Sequence, residues 1–107
     1  KSSAYVARRF ERLETCVERA TERLREDLKI ALQIAESEGH GWAFIADLNE
    51  RLAEVTNPDI EGECYRLFAV QAALKAGDRD RAEALARRYR SEVGRCGVEE
   101  LDAVLKG

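Results

Sequence analysis

Apolar residues in the first third of the chain recur in steps of three and four: Val6, Phe10, Leu13, Val17, Ala20, Leu24, Leu28, Ala31 and Ala35. That spacing draws one apolar stripe along an amphipathic helix. Neither glycine nor proline interrupts residues 3–38. Opposite charges three or four residues apart, such as Arg8 with Glu11, Arg19 with Glu22 and Arg23 with Asp27, suit an exposed helical face. The pattern predicts a single helix over 3–38, roughly 52 Å long at 1.5 Å per residue. Helices of ordinary length cannot cover all of it, so the front part of the stripe must either fold back over the domain or meet another chain.

Gly39-His40-Gly41 closes this helix, with Gly39 suited to a left-handed residue and Gly41 to a tight reversal. A second helix is expected over 42–56, with Ile45, Leu48, Leu52 and Val55 on one face and Trp42 stapling its start to the core. Thr56-Asn57-Pro58-Asp59 reads as a stop and restart, Asn57 capping and Pro58 taking the first helical position. The third helix, over 58–76, carries Ile60, Cys64, Leu67, Gln71 and Leu74 in one stripe and Tyr65, Phe68, Ala69 and Ala72 in another. Two stripes imply burial on two sides and a central position. Gly77-Asp78 reverses the chain into a fourth helix over 78–93, capped by Asp78 or Asp80, with Ala82, Leu85, Ala86, Tyr89 and Val93 facing inward. Gly94 and Gly97 precede a short fifth helix over 97–106 that bears Val98, Leu101 and Leu105. The expectation is an all-α fold of about five helices, one domain over residues 1–107, built from stacked antiparallel hairpins.

Composition supports this and narrows the partners. Hydrophobic residues make up 45% and charged residues 36% of 107 positions, with one proline, which is a helical, folded profile. The apolar runs are too short to span a bilayer, and no basic leader precedes an apolar core, so a cytoplasmic protein is expected. The chain begins at Lys1 and has no methionine, so a fragment, a processed form or an excised domain of something longer is expected. A net charge of −3 points away from nucleic acid. The first 38 residues balance their charges, whereas residues 39–62 set only Arg51 against Asp47, Glu50, Glu54, Asp59 and Glu61. The one basic excess, Arg87, Arg88 and Arg90, reads as a solvated helix face.

Candidate chemistry is sparse. Cys16, Cys64 and Cys96 are far apart, odd in number and without a C-x-x-C pair, and are expected as buried thiols in a reducing compartment. His40 stands alone between two glycines, the wrong setting for a phosphotransfer residue, a Cys–His pair or a metal cluster. Gly94-Arg95-Cys96-Gly97 lacks the length and lysine-hydroxyl ending of a phosphate loop. No catalytic centre, cofactor or metal is expected.

A shift of 36 residues lays the chain over itself. Gly41 falls on Gly77 and Ala46 on Ala82, while Leu24, Leu28, Ala31, Leu32 and Ile34 fall on Ile60, Cys64, Leu67, Phe68 and Val70. On Gly41, Ala46, Ala53 and Pro58, then Gly77 and Ala82, residues 27–94 resemble the tetratricopeptide repeat family. The chain departs from that pattern in its unit length, against about 34 residues in the family, and at Ile30, Arg66, Tyr89 and Gly94. A narrower stretch, Asn57-Pro58 and Ala76-Gly77 through Ala82-Glu83-Ala84-Leu85 to Tyr89, is similar to the helical effector domain of bacterial transcriptional activators. The repeat resemblance implies a concave groove lined by Leu28, Ala31, Ala35 and Glu38, then Cys64, Leu67, Gln71 and Lys75, fit for a helix or peptide. The expected function is a non-catalytic protein–protein interaction module that binds a protein or peptide there, or forms a homodimer through Phe10, Leu13 and Val17. A regulatory domain of a bacterial transcription factor and a structural subunit of a larger assembly are the alternatives.

Overall fold

The computed structural model describes residues 3–107, and it is all-helical: α1 (Ser3–Ser37), α2 (Trp42–Glu54), α3 (Ile60–Lys75), α4 (Arg79–Tyr89), a 3-10 turn at Arg90–Glu92, and α5 (Arg95–Lys106). Adjacent helices pack antiparallel, and α5 also touches α3. α3 sits between α2 and α4, the central place its apolar content predicts. The radius of gyration is 17.3 Å and the extents are 60 × 32 × 21 Å. A compact domain of this length would have a radius near ~13 Å. The excess is α1, which runs past the body as an arm.

Local chemistry sets the helix ends. α1 and α3 finish alike: Gly39 (φ 69°) and Gly77 (φ 78°) adopt the left-handed conformation. The next amides, of His40 and Asp78, donate back to the carbonyls of Ala35 (2.9 Å) and Ala73 (3.0 Å). Only glycine takes that conformation without strain, so each hairpin turns where its glycine stands. Asp78 caps α4 by accepting from the Arg81 amide at 3.1 Å. α3 starts two residues later than expected, because Asp59 rather than Asn57 is its cap and accepts from the Gly62 amide at 3.0 Å. Gly41 keeps an ordinary extended backbone (φ −62°) as the residue before α2.

Those caps revise the repeat. Ala46 and Ala82 are both fully buried, so the 36-residue shift holds for the second helix of each hairpin. The first helices match at 38, not 36. Ala35 falls on Ala73 and Gly39 on Gly77. Leu28, Ala31 and Leu32 likewise fall on Arg66, Ala69 and Val70, and both sets face inward. From the turn glycine to the buried alanine of the next helix, the first hairpin therefore runs two residues longer than the second.

The core is built from small side chains. Ala35, Ala46, Ala53, Ala69, Ala72, Ala73, Ala82 and Ala86 are buried with Leu48, Leu52, Val70, Leu85, Tyr89, Leu101 and Val104. On α2 the expected Ile45, Leu48 and Leu52 are buried and Val55 partly so; on α4 Ala82, Leu85, Ala86 and Tyr89 are buried, with Val93 partly so beyond the 3-10 turn. α3 keeps part of the two expected faces, with Ala69 and Ala72 buried and Tyr65, Leu67 and Leu74 packed against the core, but it is rotated toward residues that neither stripe named. Gly62, Arg66, Ala69, Val70 and Ala73 lie inside, whereas Ile60 is 86% exposed and Cys64 and Phe68 are exposed. Close helix approach rewards small residues over large ones at the contact. At Gly62 a Cβ would stand 1.9 Å from the Asn57 carbonyl oxygen, so no larger residue fits.

Arg66 is the unexpected core residue, at 4% exposure. Its guanidinium donates to the carbonyls of Thr56 (3.3 Å) and Gly62 (3.0 Å) and to the Glu92 carboxylate (3.1 and 3.2 Å). It lies 5.7 Å from the centre of the Tyr89 ring. One cation thereby ties the α2–α3 turn to the end of α4, with its donors satisfied as a buried charge requires.

Candidate protein-binding surface

α1 is two structures in one helix. Along its rear, Leu28, Ala31 and Leu32 pack against the core and Ala35 is buried, all toward α2. Arg25 is the first firm anchor, its guanidinium donating to the Val55 carbonyl at the end of α2. Lys29 pairs with Glu61 at 2.9 Å and clips the helix to the start of α3. Ahead of Arg25, every residue from Ser3 to Ala20 is exposed. The arm over 3–24 is 22 residues, roughly 33 Å of helix.

The arm carries the same stripe that packs inward behind it. Val6, Phe10, Leu13, Val17 and Leu24 are between 46% and 64% exposed, and Ala20 completes the row. The stripe does not fold back over the body. From Val6 to Leu24 its steps alternate strictly as 4, 3, 4, 3, 4, the 3.5-residue average of a coiled-coil seam. Leu24 to Leu28 then repeats a step of four, and the phase slips where the helix joins its own core. Arg9, Glu14, Cys16 and Arg23 flank the seam, the positions that set pairing direction in coiled coils.

The other residues expected on a binding surface are dispersed. Ala35 is buried in the core, and Leu28, Ala31 and Leu67 are partly buried against it. Glu38 is exposed at the end of α1, where its carboxylate lies 3.1 Å from His40 Nε2. Gln71 donates to Glu100 of α5 at 3.1 Å, and Lys75 lies 4.4 Å from the centre of the Trp42 ring. Trp42 is half exposed, capped by that lysine rather than stapled inside. Trp42, Phe68, Gln71, Lys75, Glu36 and buried Asn49 do share a shallow pocket of about 260 Å³. Phe44 also stands exposed, tilted against His40.

The cysteines lie on outward faces of α1, α3 and α5 and all three are exposed, contrary to the expectation of buried thiols. For Cys64 the cause is the rotation of α3, which gives its inner face to alanines. Among the described residues no group of three His, Cys, Asp or Glu could hold a metal ion, and no helix is long and apolar enough to cross a membrane.

The uneven charge resolves across space. Acidic α2 faces basic α4: Arg81 pairs with Asp47 and Glu50, and Arg88 with Glu50 (3.6 Å) and Glu54 (3.7 Å). The Glu50 carboxylate, then Asp47, holds the Arg81 guanidinium above its ordinary pKa. Arg90 chelates Asp102 of α5 at 2.8 and 3.2 Å and pulls that carboxyl below its usual range. Arg87, the most exposed of this group, reaches Glu83 at 3.5 Å. The basic excess of the sequence, Arg87, Arg88 and Arg90, is thus a solvent-exposed face, as expected, whose charges each meet a carboxylate. No family profile, curated protein or solved structure matches the chain.

Proposed function

We propose that this protein is a non-catalytic helix-pairing module, in which the tetratricopeptide-like hairpins anchor one helix and the arm of α1 engages a partner helix. The observation that carries the reading is the seam itself: five large apolar side chains at heptad spacing, roughly half exposed, on the stretch of α1 ahead of the part that α2 covers. A helix offers a seam what a loop or peptide strand does not, a row of holes at matching spacing.

Magnitudes set the kind of partnership. Full burial of a valine, leucine or phenylalanine is worth about 1.5–3 kcal/mol, so covering the exposed half of five contributes about 5 kcal/mol per arm. Two such arms give about 10 kcal/mol, against about 4–15 kcal/mol for lost translation and rotation. The pairing is weak and reversible, of micromolar order or looser. Substituting Phe10, Leu13 and Val17 by serine tests it. The folded body should keep its thermal midpoint while pairing disappears in sedimentation equilibrium. A variant whose body unfolds more easily would place the stripe in the domain's own core and end the reading.

The Trp42–Phe68 pocket favours a second reading, a small docking point for a peptide side chain with an acidic neighbour for Lys75. Its test is titration with acidic aromatic peptides, followed by Trp42 fluorescence.

A further inference from the structure

We infer that the arm's partner is a second copy of this chain, running antiparallel, with Val6, Phe10 and Leu13 of each copy facing Leu24, Ala20 and Val17 of the other. This rests on the helix-pairing reading and adds the partner, its direction and its register.

The row of seam residues is its own complement when reversed. Reading 6, 10, 13 against 24, 20, 17 keeps every step, so all six positions meet at once about a twofold axis near Thr15. The volumes match as well: phenylalanine meets alanine, and valine meets leucine in the other layers. A parallel pair would instead set Phe10 on Phe10 and Ala20 on Ala20, a bulge and a void within three turns.

The body makes the same choice. α2 already lies on this strip of α1 from Arg25 onward, antiparallel to it. A second arm running the same way as α2 continues that packing along the strip, and its first layer stops at Leu24, one residue before Arg25 grips Val55. A parallel arm would carry its own rear half, and the α2 attached to it, into the space α2 occupies. The flanking charges lean the other way, since antiparallel pairing sets Glu14 near Glu14 and Arg9 near Arg23, whereas parallel pairing sets Arg9 near Glu14. Those flanks are solvent-exposed, where such pairs count for little beside packed layers and a collision of bodies.

The experiment is sedimentation equilibrium of the wild type, Ala20→Phe, and the swap Phe10→Ala/Ala20→Phe, up to millimolar concentration. Antiparallel pairing predicts a wild-type dimer, dissociation at least tenfold easier in Ala20→Phe, where two phenylalanines collide, and recovery in the swap. Parallel pairing predicts the reverse for the single variant, because the new side chain fills the Ala20 void; a tighter Ala20→Phe dimer overturns the inference. A spin label at Glu36→Cys, with the native cysteines changed to serine, reads direction independently. Antiparallel arms separate the labels by roughly 60 Å along the helix axis, while a short distance between them refutes the register. A wild type that stays monomeric throughout rules out the second copy, and with an undisturbed body it leaves the arm to a foreign helix.

Discussion

Replacing Arg66 by methionine removes the guanidinium and keeps a flexible apolar stem against Tyr89. Three acceptors lose a donor, with unequal consequences. The Thr56 carbonyl, on a buried residue, loses both of its Arg66 donors and is left without either; an orphaned buried acceptor costs about 1–3 kcal/mol. Glu92 loses its cation, but its side chain is 36% exposed, so water replaces much of what is lost. The Gly62 carbonyl keeps its place in the helix ladder. The sum is about 2–3 kcal/mol, below the 3–5 kcal/mol typical of a dry pair. For a body of this size that lowers the thermal midpoint by about 10–20 °C. Urea unfolding followed by far-UV circular dichroism measures it, with the slope unchanged if the native state stays compact. Glu92→Gln should cost less than half as much, because it leaves the Thr56 bonds in place. Arg66→Met within ~1 kcal/mol of wild type, or Glu92→Gln as damaging as Arg66→Met, would refute the reasoning that the carbonyl anchor, not the ion pair, holds the turn.

Gly62→Ala should prevent folding or cost several times what Gly94→Ala costs, since a Cβ at 62 meets backbone at 1.9 Å and one at 94 meets only the Glu63 carboxylate at 3.4 Å; yield and urea midpoint compare them. Tyr89 is pushed up to about 12, first by burial and then by Glu50. Its raised folded value means stability is whole below the ordinary value of 10 and is lost as pH rises toward 12. Tyr89→Phe should remove that alkaline loss at little cost at neutral pH, because the hydroxyl is buried with no hydrogen-bond partner among the described residues; urea midpoints at pH 7 and across pH 10–12 check both. Lys29, then the Tyr65 hydroxyl, holds the Glu61 carboxyl below its ordinary 4.5. Its folded value is depressed, so its contribution is present above 4.5 and lost as pH falls through the lower folded value. Wild type should therefore exceed Glu61→Gln in urea midpoint at pH 7, with the gap closing below pH 4.5.

Periodicity and punctuation alone gave five helices, the long α1, the inward faces of α2 and α4 and the glycine that turns each hairpin, because these depend on neighbours along the chain. That α1 outruns its neighbours was legible too, because its stripe from Val6 to Ala35 is longer than any other helix in the sequence; whether the front folded back or stood clear was decided only by the tertiary structure. α3 was not legible. Apolar residues stand all round it, so no period selected a face, and the contact went to Ala69, Ala73 and Gly62 because two helices can close only on small side chains. The same choice turned Cys64 and Ile60 outward and drew Arg66 in, where the Thr56 carbonyl and Glu92 waited from other elements. The balance of acidic α2 against basic α4 and the 38-residue match of α1 to α3 likewise needed tertiary structure. A sequence records what each residue prefers beside its neighbours in the chain. Which small face comes closest, and which charge finds a partner some thirty residues away, is settled only when the helices pack.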